Sequence, residues 1–485
     1  MQIVHSSRKG SRDIEHIGSA HTDAEVEALK ASARQRLAAG QGELDLGIAV
    51  PSAGGPLPIT ATRMGHLWDS LAAAYEALGF DQAAQDEVFK QLVLARIVEP
   101  TSKADAVRVL EEVGVPAPSY RTIKRRLNLY SAIGFREQLA AACAAQVNLG
   151  PATLVLYDVT TLYFETDEGD GFREPGFSKE RRLEPQITVG LLSDANGFPL
   201  MVHAFEGNKA ETKTMLPTLR AFMDTHGLHD VVIVADAGMV SEANMDAIEA
   251  AGLSYILGAK MPRVPYVLDQ WRKDHLDQDV PDGLTLVARW PGGPSTKGKD
   301  VTTFYSYSHD RGRRTIKGIE AQVAKAEAAV AGKASVKRNR FVQLSGGSRS
   351  VNRALEEKAK ALAGWKAYVT NLPDPDADMI IGSYRRLFQI ERSFRMAKSD
   401  LAARPIYHRK QDSIEAHLTI MFAAMAVAHW IEQTTGWSIK RFVKTARRYR
   451  TVTIAAGDHV FTAADPVPDE LDAGLKKIQA KSATH

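Results

Sequence analysis

The chain has 485 residues, 44% of them hydrophobic and 25% charged, with a formal net charge of +3 and one cysteine, Cys143. That length gives room for about three domains with a large buried core, and the composition is that of a soluble globular protein. A lone cysteine excludes an internal disulfide framework and a multi-cysteine zinc site and fits a reducing compartment, so a cytoplasmic protein is expected. So small a net charge leaves the question of a nucleic-acid partner to the distribution of basic residues.

The first residues carry no apolar signal core, and the longest apolar run, 419–431, is too short to span a bilayer and contains His429. It reads as a buried helix, and no membrane partner is expected. Residues 1–150 read as helical. Residues 21–40 form one helix stopped by Gly40, and several more follow between Met64 and Tyr130. The last two, separated by the break VPAPS, resemble a helix-turn-helix. Its second helix, capped by Ser119, displays Arg121, Lys124, Arg125 and Arg126, residue types that touch phosphates and base edges. A solvated basic face is the competing reading of those four.

After Gly150 strands alternate with helices, which predicts an α/β domain. Its elements are the strand TLVLYDV (153–159), a hairpin turning at 194–197, a helix at 212–226 and the uniformly apolar strand VVIVAD (231–236). Residues 263–364 are irregular, with Pro and Gly clusters, a Lys-rich helix and the basic patches 311–314 and 337–340, and they read as an insertion subdomain. The α/β pattern resumes at 365–410 with the strand WKAYVTNL, and 411–485 form a helical C-terminal region with a basic stretch at 440–450. The α/β core is thus expected in two parts, 151–262 and 365–410.

The stretch 384–398, YRRLFQIERSFRMAK, reads as one helix. Tyr384, Leu387, Phe388, Glu391, Phe394 and Lys398 share a stripe on it, which predicts an inward-facing Glu391. A buried carboxylate needs a cation, either Arg395 one turn on or a metal. Two further acids, Asp158 and Asp236, close apolar strands, where α/β sheets gather their chemistry. Taken singly, each is as well explained as a helix cap or turn former. As a set, three hard oxygen ligands without a His or Cys cluster suit Mg²⁺ or Mn²⁺. One such ion, or two about 3.5–4 Å apart, would serve in-line displacement at a phosphodiester.

The order of motifs resembles the DDE transposases of bacterial insertion sequences, in the group marked by a Tyr-Arg-Glu-Lys signature. The resemblance spans roughly 153–407. It rests on YDVTTLYFE, GFSKERRLEPQITVGLLSDANGFPL, EGNKAETKTMLP, VADAGM and YRRLFQIERSFRMAKSDLAARPIYH. It implies a ribonuclease-H-like catalytic core, interrupted by an insertion, in which Asp158, Asp236 and Glu391 are the catalytic, metal-binding triad. It further implies binding to inverted repeats at transposon ends, cleavage with Mg²⁺, joining of the 3′-OH ends to target DNA, and a homodimer in the synaptic complex on the bacterial nucleoid.

Tyr384, Glu391 and Lys398 fall on the signature, whereas its Arg position holds Leu387. Arg386 lies one residue early, about 100° around a helix, and Arg395 is the other substitute. Tyr384, Arg386, Arg395 and Lys398 are therefore expected at DNA, with Lys179, Arg181 and Arg182 of the loop at 178–182 as further contacts. Trp290 reads either as a stacking platform for an unpaired base or as a packed strand end. His226 and His229 read as surface or capping residues. The rival readings of the whole are a nuclease of the same fold without strand transfer and an inactive DNA-binding remnant.

Overall fold

The computed structural model describes residues 2–6, 12–20, 26, 29–30, 32–33, 58–147, 153–166, 168–176, 184–226, 231–239, 241–276, 278–290, 300–333, 339–345, 348–404, 406, 408–456 and 459–483. It forms two compact units. One comprises Met1–Ala142, Met396–Ala403 and His408–His485, the other Cys143–Arg395 and Arg404–Tyr407. The helical regions expected at the two ends of the chain therefore belong to one body.

That helical unit begins with strands β1 (Gln2–Ser6) and β2 (Arg12–His16), which pair antiparallel, and β3 (Ile59–Arg63). Helices α1 (Gly65–Ala77), α2 (Phe80–Ala84), α3 (Glu87–Val98), α4 (Ala106–Val113), α5 (Tyr120–Ser131) and α6 (Ile133–Gln146) follow. The expected cap of α5 is present, with Ser119 accepting from the Thr122 amide at 3.2 Å. Ile123, Leu127 and Tyr130, four and three residues apart, are its buried stripe, which leaves Arg121, Lys124 and Arg125 exposed. Asp86 caps α3 through the Phe89 amide and accepts from the Tyr130 hydroxyl at 2.9 Å, fastening α5 to α3.

The second unit is built on an eight-stranded sheet. Strands β4 (Thr153–Tyr163), β5 (Gln186–Asp194) and β6 (Pro199–Glu206) make an antiparallel meander. Asp194 sets the turn after β5 by accepting from the amides of Asn196 and Phe198. Helix α7 (Met215–His226) leads to β7 (Val231–Ala235), whose five residues are all buried and which lies parallel to β4. Helix α8 (Glu242–Ala250) crosses to β8 (Ser254–Ala259), parallel to β7. A three-strand meander extended by parallel strands on its first member is the expected ribonuclease-H-like core.

Between the core's two parts come α9 (Tyr266–Asp274), β9 (Thr285–Trp290), β10 (Val301–Tyr307), α10 (His309–Val330), the ribbon β11 (Val342–Ser345) and β12 (Ser348–Val351), and α11 (Arg353–Ala361). The sequence made this stretch a separate insertion. Instead β9 and β10 continue the main sheet, whose order is β6-β5-β4-β7-β8-β13-β10-β9, with β13 at Trp365–Thr370. The alternation of β10, in which aromatic side chains and threonines are buried on both faces, is the physical reason.

The expected single helix over 384–398 is broken. Helix α12 (Ala377–Arg385) ends with Arg386 as its C-cap, α13 (Leu387–Arg395) restarts at once, and a π-helical turn follows at Met396–Asp400. The helical unit is completed by α14 (Gln411–Thr435), α15 (Ile439–Ala446), β14 (Thr451–Ala456), β15 (His459–Ala464) and α16 (Asp469–Ser482). Helix α14 contains the long apolar run. By length and composition alone it would cross a membrane, but nearly all of it is buried within the protein, as expected of a core helix.

Candidate active site

The register of the sheet places the two aspartates. On β4 and β7 the parallel pairs run from Thr153↔Val231 to Tyr157↔Ala235, and the next residue on each strand is an aspartate, Asp158 and Asp236. Side-chain alternation then sends both to the sheet face opposite Tyr157. Asp158 is not at a strand end as the sequence suggested, because β4 keeps pairing with β5 as far as Tyr163↔Gln186. It stands where the β7 side of β4 runs out of partners, and the same chemical opportunity arises there. One strand further, Ala235 pairs with Leu257, so the same level continues through Gly258 of β8 and then Tyr368 of β13.

Gly258 is the gap in that row, and Tyr384 fills it. A Cβ at Gly258 would lie 2.5 Å from the Tyr384 hydroxyl, so no other residue fits without displacement. Tyr384 comes down from α12, is 4% exposed, and donates from its hydroxyl to Asp236 Oδ1 at 2.5 Å. Burial above all, then the bond to Asp236 and its charge, pushes the Tyr384 hydroxyl far above the ordinary phenol range. It therefore stays a proton donor that holds one oxygen of Asp236.

Glu391 reaches the same place from α13. The sequence placed it on a buried stripe, but it is exposed. The break at Arg386 shifts the phase, and α13 buries Ile390, Ser393 and Phe394 instead. Helix α13 packs on β4, and Ser393 donates to the Gly197 carbonyl at 2.7 Å in the turn after β5. A Cβ at Gly197, where φ is +85°, would lie 2.8 Å from the Gln389 carbonyl, so this turn needs glycine on both counts. Glu391 is thereby left at the mouth of a pocket of about 360 Å³ lined by Asp158, Asp236 and Glu391, by Lys366, Arg311 and Arg385, and by Tyr368, Tyr384, Leu387 and Phe388.

The cations of this pocket differ from those expected. Arg395 and Arg386 are exposed and do not line it, whereas Arg385 does. Lys366 of β13 lies with its Nζ 4.3 Å from the centre of the Tyr384 ring. Burial, with help from Arg311, lowers its pKa against the opposing pull of Asp236 and Glu391. Arg311, in the first turn of α10, donates to the carbonyls of Ser306 and Gly364 at 3.2 and 3.0 Å. The Lys366 signal was present in the strand WKAYVTNL, where a lysine two residues before Tyr368 shares its face. Among the described residues no three His, Cys, Asp or Glu side chains are drawn together as a ready-made metal cage. The three acids share a pocket but are not in contact as a cluster.

Of the other expected contacts, Tyr384 is turned inward and Lys398 lies in the π-helical turn, half-buried, within the helical unit. Lys179, Arg181 and Arg182, and His229 and Lys337, lie outside the described residues. Trp290 is 56% exposed at the end of the edge strand β9. It is therefore not a packed strand end. His226 closes α7 against Phe222, with ring centres 4.6 Å apart, which fits a helix-end role.

Residues 150–427, more than half the chain, match the model of the transposase DDE domain. The chain belongs to the DDE transposases. Among solved structures it is similar to a piggyBac transposase synaptic complex with hairpin DNA, at 10% identity over 79% of this chain and 70% of that one, with a TM-score of 0.39. No curated protein matches.

Proposed function

We propose that the chain is the transposase of an insertion sequence of the Tyr-Arg-Glu-Lys group. In this reading it binds the inverted repeats at the ends of its own element, hydrolyses the phosphodiester to free a 3′-OH, and joins that hydroxyl to target DNA, working as a dimer on two ends. The observation that carries the reading is the meeting of Asp158, Asp236 and Glu391, spread over 234 positions of sequence, in one solvent-open pocket of a DDE-family chain.

The donor set suits a hard divalent cation: three carboxylates, with no histidine or thiol among the lining residues. Asp158, Asp236 and Glu391 would hold Mg²⁺ or Mn²⁺, which when bound supplies activation of an oxygen nucleophile and neutralisation of the leaving oxygen. Tyr384 would orient Asp236 so that its second oxygen faces the pocket. Arg311, Arg385 and Lys366 would meet the negative charge of the scissile phosphate and take over the part of the signature arginine that Leu387 lacks. The exposed Arg121, Lys124 and Arg125 of α5 would grip DNA away from the cut.

The test uses two substrates. With uncut element ends, Asp236→Asn in Mg²⁺ is expected to bind DNA normally and not cut it. With precleaved ends bearing a 3′-OH and a target plasmid, the native chain is expected to give joined products. Cutting without joining would replace the reading by that of a nuclease, and full cutting by the variant would remove Asp236 from the site.

A further inference from the structure

A second charged site lies wholly within the helical unit. Arg96 stands in the last turn of α3, Lys103 in the turn before α4, His408 just before α14 and His417 inside α14. Lys103, only 6% exposed, places its Nζ 2.5 Å from His408 Nε2. The rings of His408 and His417 have centres 5.9 Å apart. His417 is 3% exposed, and its Nε2 donates to the Ala403 carbonyl at 3.2 Å. Its Nδ1 has no hydrogen-bond partner among the described residues. Among the described residues Arg96 donates to the Leu401 carbonyl, at 3.5 Å.

The peculiarity is the missing acid. A buried ammonium or guanidinium is costly unless a carboxylate or strong acceptors compensate it. None of these four groups is bonded to a carboxylate among the described residues. Burial lowers the pKa of all four. Arg96 lowers that of Lys103 further, and Lys103 and Arg96 lower those of His408 and His417, while the Ala403 carbonyl raises that of His417. Three of the acids nearby in sequence are held elsewhere. Glu99 and Asp105 are held by Arg108, and Glu415 by Arg136. Four nitrogen-bearing groups thus converge with none of them bonded to a carboxylate among the described residues.

We propose that Arg96, Lys103, His408 and His417 form a binding site for a phosphoryl oxyanion, supplied either by free phosphate or by a phosphate group of nucleic acid. A tetrahedral oxyanion offers several acceptors to this set, including the free edge of His417 once that ring is protonated, and cancels charge that no side chain here cancels. The half-buried Arg96 and His408 are its open side. The site does not depend on the catalytic reading, since it uses no residue of the acid pocket.

The full chain, titrated with inorganic phosphate against chloride at constant ionic strength, is expected to gain thermal stability saturably. Lys103→Met should weaken that response about tenfold or more, the loss of one charge-assisted contact. A short duplex in phosphate-free buffer separates the sources. A duplex affinity that falls in Lys103→Met, without any response to free phosphate, assigns the site to nucleic acid. Equal responses of native chain and variant to both ligands overturn the proposal. If the variant does not fold, crystals of the native chain soaked in tungstate decide: an anomalous peak within hydrogen-bonding reach of Lys103 supports the site, and an empty cluster at saturating tungstate refutes it.

Discussion

The acid pocket and the basic cluster treat charge in opposite ways. In the pocket, three carboxylates stand among three cations, so the site is internally balanced and open to solvent. In the cluster, Arg96, Lys103 and two imidazoles gather with no bonded carboxylate among the described residues, and Lys103 and His417 are buried. A balanced open site can take a metal ion on its carboxylates and a phosphate on its cations, whereas a buried site of bases without a bonded acid is completed by an anion. The first arrangement fits chemistry with charge that changes during a reaction, and the second fits a ligand that stays.

The largest expected effect breaks the balanced side. Replacing Asp158 or Asp236 by Asn, or Glu391 by Gln, should lower DNA cleavage by at least about 10²–10³-fold, the scale seen when one charge-stabilising group is lost from an active site. Gel assays on end-containing DNA would read this, with end binding as the control for folding.

Next comes the row that sets the pocket floor. Gly258→Ala should cost about 1–3 kcal/mol of stability through overpacking against Tyr384. The loss should shrink when Tyr384→Phe removes the hydroxyl that lies closest to the new carbon. Denaturant melts of the two single variants and the double variant would show the coupling, and strict additivity would mean that Tyr384 does not occupy that space in solution. Tyr384→Phe alone should cost about 1–3 kcal/mol, because it removes the buried hydroxyl that donates to Asp236.

A smaller effect follows from Lys366. Its ammonium shares the pocket with Asp236 and Glu391, so Lys366→Met should lower the Mn²⁺ concentration needed for half-saturation, as read by quenching or calorimetry. A higher concentration would make Lys366 a supporter of the metal rather than its competitor.

The smallest effect sharpens the buried side. Burial, with the charges of Lys103 and Arg96, pushes the His408 imidazole down to about 4. The unfolded chain takes up that proton near pH 6.5 and the folded chain only near pH 4, so stability should fall as pH drops between those values. Thermal melts of His408→Gln should show a flatter profile over that window, and added phosphate should flatten it in the native chain as well.

How much of this was written in the sequence differs from acid to acid. Asp236 was legible because VVIVAD is buried on both faces and stops at a carboxylate, and that is where it lies. Asp158 was expected at a strand end and is not at one, since strand ends are properties of pairs, and β4 ends on its β7 side six residues before it ends on its β5 side. Glu391 was singled out by its motif, and its periodicity placed it on a buried stripe although it is exposed. A helix read as continuous gives one buried stripe, while a break at Arg386 gives two segments with different inward faces. Lys366 and Gly258 were not singled out, because their importance comes from cross-strand register, in which Gly258 lies opposite Tyr368, and a local pattern does not encode its distant partner. Likewise β9 and β10 read as an appendage in the sequence, yet β10 pairs with β13 and β9 with β10.

The helical unit is closed by pieces from both extremes of the chain. Strand β14 pairs with β3, with Thr451 opposite Arg63, and α14 lies against α5, α3 and α1. Arg136 of α6 donates to Glu415 and Thr419 of α14. During synthesis the leading helices must therefore wait, with apolar faces uncovered, until α14 has been made, while the strands that carry both aspartates can already pair. A ribosome that stops before α14 would release a product whose front end is unfinished, so an incomplete copy would be unable to form this body at all.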